Sequence, residues 1–518
     1  MGSTESTPLR CKLYRKSNRY EHNRGRLAPV EVCVPPELIG RCLIDGKLVS
    51  AVDNGVFSVN NPTTGKIIGD AALCEAPDIA AAVSAARRAW PTWATLSTRE
   101  RAQLLLSCAS ALEGRIEDVA RLCSLETGKA IRTESRPEAT ELPAIFNFYG
   151  GLAWEAKGET IPFASNVLSM SIREPLGVIA AIVPWNAPLL LSALKIGPAL
   201  ATGNTVVLKS SELAPFAVLR MAHLLANVLP PGVLNVVSGE GHAAGVSLVA
   251  HPDVAAVTFT GGVHTGRAVY QAAAARIIPV TLELGGKSPM IVLSDCDTER
   301  AVEGALASMR FTRQGQSCTA ASRIYVQRPL LETFIRLLAA RLDELVIGDP
   351  LREETDVGPL ISADHKGRVD AYLAEAAQRS GVELLECGSF ANNPHAARGA
   401  FSKLFIVSGV THNDRIAREE IFGPVTCVMP FETPDEALQL ANDSEFGLSA
   451  SIWTKNLSVA LTLANRISAG VVQINQNVVV QPNVGVGGTK SSGLGHEGTK
   501  EAMIEHFTRR KSLLIRTD

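Results

Sequence analysis

The sequence predicts an α/β protein built on parallel sheets. Short, mostly apolar runs recur about every 25 residues between residues 178 and 259, and stretches of helical composition separate them. A strand that is apolar on both faces belongs to a sheet that is covered on both sides. Ligands of such sheets bind beyond the carboxyl ends of the strands. The chemistry-bearing residues are therefore expected just after the apolar runs.

The apolar runs fall into two series, which predict two α/β halves. The strands predicted for the first half are 178–183, 205–208, 233–237 and 255–259, with helices at 188–202, 215–229 and 242–250. The strands predicted for the second half are 290–294, 322–326, 404–407, 425–430 and 449–453, with helices at 298–310, 329–345, 363–380 and 457–467.

The N-terminal part follows a different pattern. Residues 1–50 have no clear helical period, so we expect an extended arm. Its basic start fits a solvated tail or a transit peptide. Helical spacing then predicts a helix over 78–90, with Asp78 as its N-cap and Pro91 as its end. Ser97 with Glu100 has the spacing of a capping box and opens another helix.

Composition limits the classes of function. The 518 residues suggest about three domains. A net charge of −2 gives no reason to expect a nucleic-acid partner. The ten cysteines include no C-x-x-C pair, so we predict no metal site, and a reducing, cytoplasmic setting. No apolar run approaches the ~18 residues of a membrane span, so no membrane partner is expected.

Three residues are candidates for chemistry. The residues just before Cys318 are small and include a glycine, which lets backbone N–H groups come near the sulfur. The alternative is a structural role, because a single cysteine is usually buried and inert. Glu283 is an acid within an apolar strand that ends in Gly-Gly, and the alternative is a salt-bridged strand end. Asn186, after Val-Pro-Trp, could donate to an oxyanion or simply fix a turn.

Eight motifs together carry a resemblance to a known family. They are PWNAP (184–188), LKSSE (208–212), FTGGVHTG (259–266), LELGGKSP (282–289), GQSC (315–318), EEIFGPV (419–425), NDSEFGLSA (442–450) and GGTKSSGLGHEG (487–498). Over residues 45–515 the sequence resembles the NAD(P)-dependent aldehyde dehydrogenase superfamily in the order and approximate spacing of these motifs. The resemblance implies that the chain is an enzyme, an oxidoreductase that oxidises a small-molecule aldehyde to the carboxylic acid.

The resemblance also implies roles for individual residues. Cys318 would be the nucleophile, Asn186 an oxyanion donor and Glu283 the general base for thioester hydrolysis. The cofactor would be NAD, because a carboxylate at Glu212 repels a 2′-phosphate. For Glu420, next to Glu419, the alternative is a solvated charge pair. The implied cofactor-binding residues are Trp185, Lys209, Glu212, Gly262, Gly266, Leu284, Glu420 and Phe422.

The implied architecture has three parts. Residues 1–157 and 176–285 would form a Rossmann-type NAD-binding domain, and residues 286–486 an α/β catalytic domain. Residues 158–175 and 499–518 would form a small β oligomerisation element. Relatives of this kind pair exposed strand edges across subunits, so a homodimer or homotetramer is expected.

The sequence departs from the family pattern at positions that bear on the substrate. Ala187, Leu194 and Val480 lie where relatives often carry aromatic rings, which predicts a wider, apolar tunnel and a bulky apolar aldehyde. The alternative is that other side chains fill the space. Arg313 stands where asparagine is frequent, and the sequence offers no account of it.

Two other functions compete with this prediction. A CoA-acylating semialdehyde dehydrogenase would release the acyl group to a thiol, but relatives of that type lack the general-base glutamate, so Glu283 disfavours it. A non-catalytic NAD-binding relative would keep the fold without turnover, which the presence of Cys318, Glu283 and Asn186 disfavours.

Overall fold

The computed structural model describes residues 32–390, 393–477 and 482–518. Two large, mostly parallel sheets with helices packed around them dominate the structure. The predicted α/β class is therefore confirmed, and the apolar runs of the sequence form the central strands of the two sheets.

The first sheet has eight strands. Its five central strands run parallel, and the outer strands at both ends pair antiparallel. The strand Val178–Ile182 in the middle is buried over its whole length, because neighbouring strands and helices on both faces cover it. In sheet order the strands are Lys47–Val49, Cys42–Ile44, Leu234–Val237, Thr205–Lys209, Val178–Ile182, Val254–Thr260, Val280–Glu283 and Gly493–Leu494.

Helices from the first 275 residues pack around this sheet. They are Ala76–Thr95, Thr98–Glu113, Ile116–Thr127, Arg136–Leu152, Pro188–Ala201, Phe216–Ala226, Val246–Ala250 and Val263–Ala274. Short 3₁₀ turns at Pro36–Leu38 and Ala153–Glu155 and π-helical turns at Ile131–Ser135 and Gly241–Gly245 connect them.

Three N-terminal predictions differ from the structure. The helix predicted over 78–90 begins at Ala76 with Glu75 as its N-cap, and Asp78 is its third residue, whose side chain accepts the backbone N–H of Glu75. Residues 42–49, expected in an extended arm, form two strands of the first sheet, where Leu43 pairs with Val236 and is fully buried. Residues 1–31 of the arm lie outside the described residues. The helix Ala76–Thr95 continues through Pro91, because Trp93 beyond it is 1% exposed and its burial offsets the missing backbone hydrogen bond.

The second sheet has seven strands, and all but the edge strand Glu383–Cys387 are parallel. In sheet order they are Glu383–Cys387, Leu404–Ser408, Val425–Phe431, Arg323–Gln327, Pro289–Val292, Ser449–Trp453 and Val471–Ile474. The associated helices are Thr298–Met309, Leu331–Asp343, Ala363–Ala377, Arg415–Arg418, Pro434–Asn442 and Leu457–Arg466, with 3₁₀ turns at Phe311–Arg313 and Arg328–Leu330.

A three-stranded antiparallel sheet joins two distant segments. The central strand Val167–Pro175 pairs with Thr160–Ala164 and with the C-terminal strand Thr508–Arg516, which follows the helix Lys500–Phe507. Two further antiparallel pairs are Val56–Asn60 with Ile67–Ala72 and Phe446–Gly447 with Thr489–Lys490. None of the helices within the described residues combines the length and apolar character needed to cross a membrane.

Candidate active site

Cys318 lies in a tight loop between the helix Thr298–Met309 and the strand Arg323–Gln327. Within this loop the backbone adopts φ values of 56° at Arg310, 54° at Gln314 and 66° at Gly315. A Cβ at Gly315 would lie 2.0 Å from the carbonyl oxygen of Gly423. Only glycine fits at this position, so packing of the loop requires the glycine that precedes the cysteine in the sequence.

Asn186 reaches this loop from the first sheet. It follows the strand Val178–Ile182 and is 6% exposed. Its Nδ2 donates to the carbonyl oxygen of Gln316, two residues before Cys318, at 3.1 Å. A primary amide carries two N–H groups, so this bond fixes its orientation while the other N–H can serve a further acceptor.

A buried ion pair holds the turn that carries Asn186. One carboxylate oxygen of Glu138 accepts the backbone N–H groups of Leu189 and Leu190, each at 3.0 Å, at the start of the helix Pro188–Ala201. The other oxygen pairs with Lys129. Both side chains are 1% exposed. The negative charge therefore stabilises the positive end of the helix dipole directly behind the asparagine.

Glu283 is the last residue of the strand Val280–Glu283 and is 6% exposed. The predicted strand extended to Gly285 and Gly286, but the observed strand stops before them. Its Oε1 is buried and forms no hydrogen bond with the described residues. Burial raises the pKa of this carboxyl well above its ordinary value, and the nearby charge of Glu497 raises it further, while Lys195 opposes the change. A carboxylate with a raised pKa is a stronger base than an ordinary glutamate.

The segment after Glu283 contacts Cys318. A Cβ at Gly286 would lie 2.4 Å from the Cys318 carbonyl oxygen, so these backbones touch. Cys318 itself is half-buried. Burial raises the pKa of its thiol to about 12, with Glu420 and Glu283 adding to the shift and Arg313 opposing it. The three predicted catalytic residues thus come from segments that meet at this loop.

A polar cluster next to Glu283 was missed by the sequence reasoning. Lys195 donates to Glu497 Oε1 at 2.6 Å and to the Thr258 hydroxyl at 3.0 Å, and that hydroxyl donates to Glu497 at 3.0 Å. Lys195 is fully buried. A lysine in the otherwise apolar helix Pro188–Ala201 was the available signal, since buried cations need a partner.

The predicted adenosine-binding residues lie at the carboxyl edge of the first sheet. Lys209 is the last residue of its strand and lies opposite Ile182. Its Nζ donates to the carbonyl oxygen of Ser210 at 2.9 Å and lies 3.6 Å from Glu212 Oε2. Burial lowers the pKa of Lys209, whereas the Glu212 side chain is 48% exposed. A carboxylate on the solvent side of a buried lysine suits the hydroxyls of a ribose.

The residues predicted for the pyrophosphate surround a helix N-terminus. Gly262 is the N-cap of the helix Val263–Ala274, and a Cβ there would meet nothing within 4 Å. A Cβ at Gly266 would lie 2.4 Å from Leu284, so the glycine allows the helix to pack on this side chain. The open N-terminus fits an anionic group, since its N–H groups lack intrahelical acceptors.

The remaining cofactor candidates lie beside Cys318. Glu420 accepts the backbone N–H of Gly286 at 2.9 Å, and burial raises its pKa to about 7. The ring of Phe422 lies 5.4 Å from that of Trp185 at 87°, and His365 contacts both rings. Glu420 therefore faces the loop interior and does not form a solvated pair with Glu419.

The structure describes two of the three predicted substrate-pocket residues. Ala187 is 3% exposed and precedes the helix Pro188–Ala201, on which Leu194 is 5% exposed. Leu194 lines a small cavity together with Tyr149 and Glu497. Val480 lies outside the described residues.

One group of side chains bears on the prediction of no metal site. Ligand atoms of His496, Glu505 and His506 lie within 4.8 Å of one another. The two imidazole rings meet edge to face at 5.3 Å, and His506 Nε2 accepts the His496 backbone N–H at 3.3 Å. One nitrogen lone pair of the group is therefore already engaged.

The carboxyl edge of this open parallel sheet carries a buried lysine, an exposed glutamate and a glycine-capped helix, which is typical of the class of Rossmann-type dinucleotide-binding proteins. Comparison with known proteins agrees with this class. A family model described as "Aldehyde dehydrogenase family" matches residues 49–513. The chain belongs to the aldehyde dehydrogenase family.

Several relatives are similar along nearly their whole length. Phenylacetaldehyde dehydrogenase from Pseudomonas fluorescens is 39% identical over 483 residues, which cover 91% of this chain and 95% of the relative. Betaine aldehyde dehydrogenase 1 from Rhizobium meliloti (strain 1021) is 38% identical over 474 residues, 91% of this chain and 96% of the relative.

A solved structure is similar to this chain over nearly its whole length. PnpE, a protein known from Pseudomonas sp. WBC-3, has been solved in complex with nicotinamide adenine dinucleotide. That complex is 39% identical, has a TM-score of 0.89 and covers 92% of this chain and 98% of its own. These similarities confirm the family, the fold and the enzyme class that the motifs predicted, an oxidoreductase acting on aldehydes.

Proposed function

We propose that this enzyme oxidises an aldehyde to the carboxylic acid with NAD as cofactor and Cys318 as nucleophile. The observation that supports the proposal is that the segments carrying three groups meet at one loop. The groups are a half-buried thiol, the oriented amide of Asn186 and the unpartnered, buried oxygen of Glu283. Acyl transfer through a thiol needs a nucleophile, an oxyanion donor and a base, and the three groups supply them.

The carboxyl edge of the first sheet fits NAD. Lys209 and the exposed carboxylate of Glu212 suit a ribose with two free hydroxyls, and Glu212 disfavours a 2′-phosphate. Gly262 opens a helix N-terminus without obstruction, as a pyrophosphate requires. Glu420 and Phe422 would hold the other half of the dinucleotide near Cys318. When bound, NAD would supply the acceptor for a hydride.

The first half of the reaction takes place on the sulfur. The Cys318 thiolate attacks the carbonyl carbon, and a carbon–sulfur bond forms as the carbonyl oxygen becomes an oxyanion. Asn186 and the backbone N–H of Cys318 stabilise this oxyanion, by about 3–4 kcal/mol for each donor. When the carbonyl reforms, the carbon loses a hydride and the enzyme holds a thioester.

The second half releases the acid. Glu283 accepts a proton from water, whose oxygen attacks the thioester carbon. The carbon–sulfur bond breaks, so that the carboxylic acid leaves and Cys318 returns as the thiolate. The raised pKa of Glu283, which burial and Glu497 cause, suits a base that operates near neutral pH.

Absorbance of reduced cofactor tests this reaction. With purified protein, NAD and an aldehyde, we expect turnover that Cys318→Ala abolishes and that Cys33→Ala, at an exposed cysteine, leaves intact. Glu283→Gln should form about one equivalent of reduced cofactor rapidly and then turn over roughly 10²- to 10⁴-fold more slowly, because hydrolysis loses its base. Turnover that survives in Cys318→Ala would refute the proposal.

Product analysis separates this proposal from CoA acylation. The free acid is expected whether or not CoA is added, since Glu283 is present to activate water. Rapid formation of an acyl-CoA in place of the acid would favour the CoA-acylating alternative. Tight NAD binding without reduction of NAD by any aldehyde would favour a non-catalytic relative.

We further propose a bulky, apolar aldehyde as substrate. Ala187 and Leu194 are small or aliphatic where relatives often carry rings, and both are buried, so we expect a wider apolar tunnel beside them. Phenylacetaldehyde dehydrogenase, with its aromatic substrate, is among the relatives. The kcat/KM for benzaldehyde or decanal should exceed that for acetaldehyde, and Ala187→Phe should narrow the difference. A higher kcat/KM for acetaldehyde would contradict this proposal.

The oligomeric proposal rests on the three-stranded sheet. All of the edge strand Thr160–Ala164 is exposed, and Phe163 is 71% and Leu514 65% exposed. An unpaired edge with apolar side chains suits pairing with a second copy. Sedimentation should give the mass of a dimer or tetramer, and Phe163→Lys should shift the mass towards the monomer. A monomeric wild-type protein would refute this.

A further inference from the structure

A buried cation lies five residues before Cys318. Arg313 ends the 3₁₀ turn Phe311–Arg313, and its guanidinium donates to Glu134 Oε2 from Nε at 2.7 Å and from Nη2 at 2.6 Å. The two side chains are 13% and 7% exposed. The Thr312 hydroxyl also donates to Glu134. The charge of Arg313 is therefore held in one place and shielded from water.

The same arginine is part of the hydrogen-bonded loop that carries the thiol. Its carbonyl oxygen accepts the N–H of Gln316 at 2.9 Å. The carbonyl oxygen of Gln316 in turn accepts the amide of Asn186 at 3.1 Å. The guanidinium thus anchors, through Glu134, the backbone on which the nucleophile and its oxyanion donor are arranged.

Charges of both signs lie near Cys318. The acids are Glu283 and Glu420, whose pKa values burial raises. The cations are Arg313 and Arg310. Both groups of charges act on the thiol through a medium in which interactions are stronger than in water.

The group of charged residues around Arg313 carries an excess of positive charge. The groups that face Arg313 are Glu134, Glu138 and Arg310, and Lys129 is paired with Glu138. Three cations therefore meet two carboxylates. Burial alone would lower the pKa of Arg313, but Glu134 and Glu138 hold it above its ordinary value. The guanidinium stays charged at every pH at which the enzyme would work.

We propose that Arg313 is a positioning residue that supplies a fixed positive charge to the thiolate of Cys318, with Glu134 as its anchor. The inference rests on the proposed role of Cys318 as nucleophile. It accounts for a position where the family frequently has a neutral asparagine. A fixed cation stabilises the thiolate before any substrate is bound, and it offsets the charges of the two nearby acids.

The rate of Cys318 alkylation by iodoacetamide as a function of pH tests this without any turnover. Peptide mass spectrometry follows Cys318, and the exposed Cys33 in the same digest is the internal control. At a fixed pH below the pKa of the thiol, Arg313→Gln should lower the rate of Cys318 alkylation roughly tenfold. Glu134→Gln should raise this rate, because Arg313 keeps its charge and loses its counter-charge.

Arg313→Gln and Glu134→Gln are expected to change the alkylation of Cys318 in opposite directions, and this distinguishes an electrostatic role of Arg313 from a structural one. Both substitutions break the same ion pair, so a purely structural role would change the two profiles in the same direction or leave both unchanged, and either result overturns the proposal. Arg313→Lys keeps the charge and should stay close to the wild-type profile. A profile for Arg313→Lys that matches Arg313→Gln also overturns it.

A double variant covers the case in which a single substitution impairs folding. Arg313→Gln/Glu134→Gln leaves neither buried charge, and its profile should fall between those of the two single variants. A double-variant profile outside that range overturns the proposal. Alkylation reads the thiolate directly, so these results stand even if no aldehyde is oxidised, and absence of turnover would count only against the proposed function.

Discussion

Removing the carboxylate of Glu138 should destabilise the protein more than any exposed substitution on the same helix. Glu138→Ala leaves Lys129 buried without its partner, which costs about 3–5 kcal/mol. The N–H groups of Leu189 and Leu190 also lose their acceptor, at about 1–3 kcal/mol each when they stay dry. Partial relaxation reduces this sum, so we expect a loss of about 5 kcal/mol in the free energy of unfolding.

Two further variants divide this loss into its causes. Glu138→Gln keeps an oxygen for the two N–H groups but not the charge, and should lose about 3–5 kcal/mol. Lys129→Met/Glu138→Gln leaves no unpaired charge and keeps the acceptor, so it should recover to within about 1–2 kcal/mol of the wild type. The ion pair itself would then be nearly neutral for stability, although breaking it is costly.

Urea unfolding followed by tryptophan fluorescence measures these differences. Glu141→Ala, at an exposed position of the helix Arg136–Leu152, is the matched control and should stay within about 0.5 kcal/mol. The reasoning fails if Glu138→Ala is no more destabilising than Glu141→Ala. It also fails if the double variant is as unstable as Glu138→Gln.

Two other substitutions test the loop and the cofactor edge. Gly315→Ala places a Cβ 2.0 Å from a carbonyl oxygen at positive φ and should abolish turnover. The control Gly381→Ala is also at positive φ but has nothing within 4 Å, so it should cost only about 1 kcal/mol of stability and leave kcat unchanged. Equal effects of the two substitutions on kcat would contradict this. Because burial raises the pKa of Glu420 to about 7, its carboxyl is neutral below that pH, so the Kd for NAD should rise roughly threefold to tenfold from pH 8 to pH 6. Fluorescence titration should show no such change in Glu420→Gln, and a wild-type Kd independent of pH would count against the proposed role.

Much of the fold could be predicted because its central strands are local apolar runs. The run at 178–183 and the run at 205–208 match the strands Val178–Ile182 and Thr205–Lys209 to within one residue. The capping box at Ser97 is also present, since it depends only on Glu100 three residues later. Signals that act over a few residues were sufficient in these cases.

Two of the predictions that were wrong involve partners distant in the sequence. Pro91 does not end its helix, because burial of Trp93 against the rest of the domain outweighs the local rule. The strand Cys42–Ile44 was missed because it pairs with Leu234–Val237, about 190 residues later. Neither partner can be identified from local periodicity.

The candidate site shows the same division. Family motifs predicted Cys318, Glu283 and Asn186, and the structure brings their segments to one loop. The partners that hold charge around them were not predictable. Arg313 meets Glu134 across 179 residues. Buried ion pairs depend on tertiary packing, and a charged residue in a sequence does not indicate which distant segment will cover it.

The strand that ends at Glu283 has consequences for synthesis on the ribosome. One edge of this strand pairs with Gly493–Leu494, and Leu284 donates to the carbonyl oxygen of Ser492 at 2.8 Å. About 200 residues separate these partners, so at about 5–20 residues per second the edge stays unpaired for roughly 10–40 s after it emerges. An apolar strand with an open edge recruits other strands. The edge is therefore open to pairing with other strands during this interval, and slow translation between the two segments should lower the soluble yield.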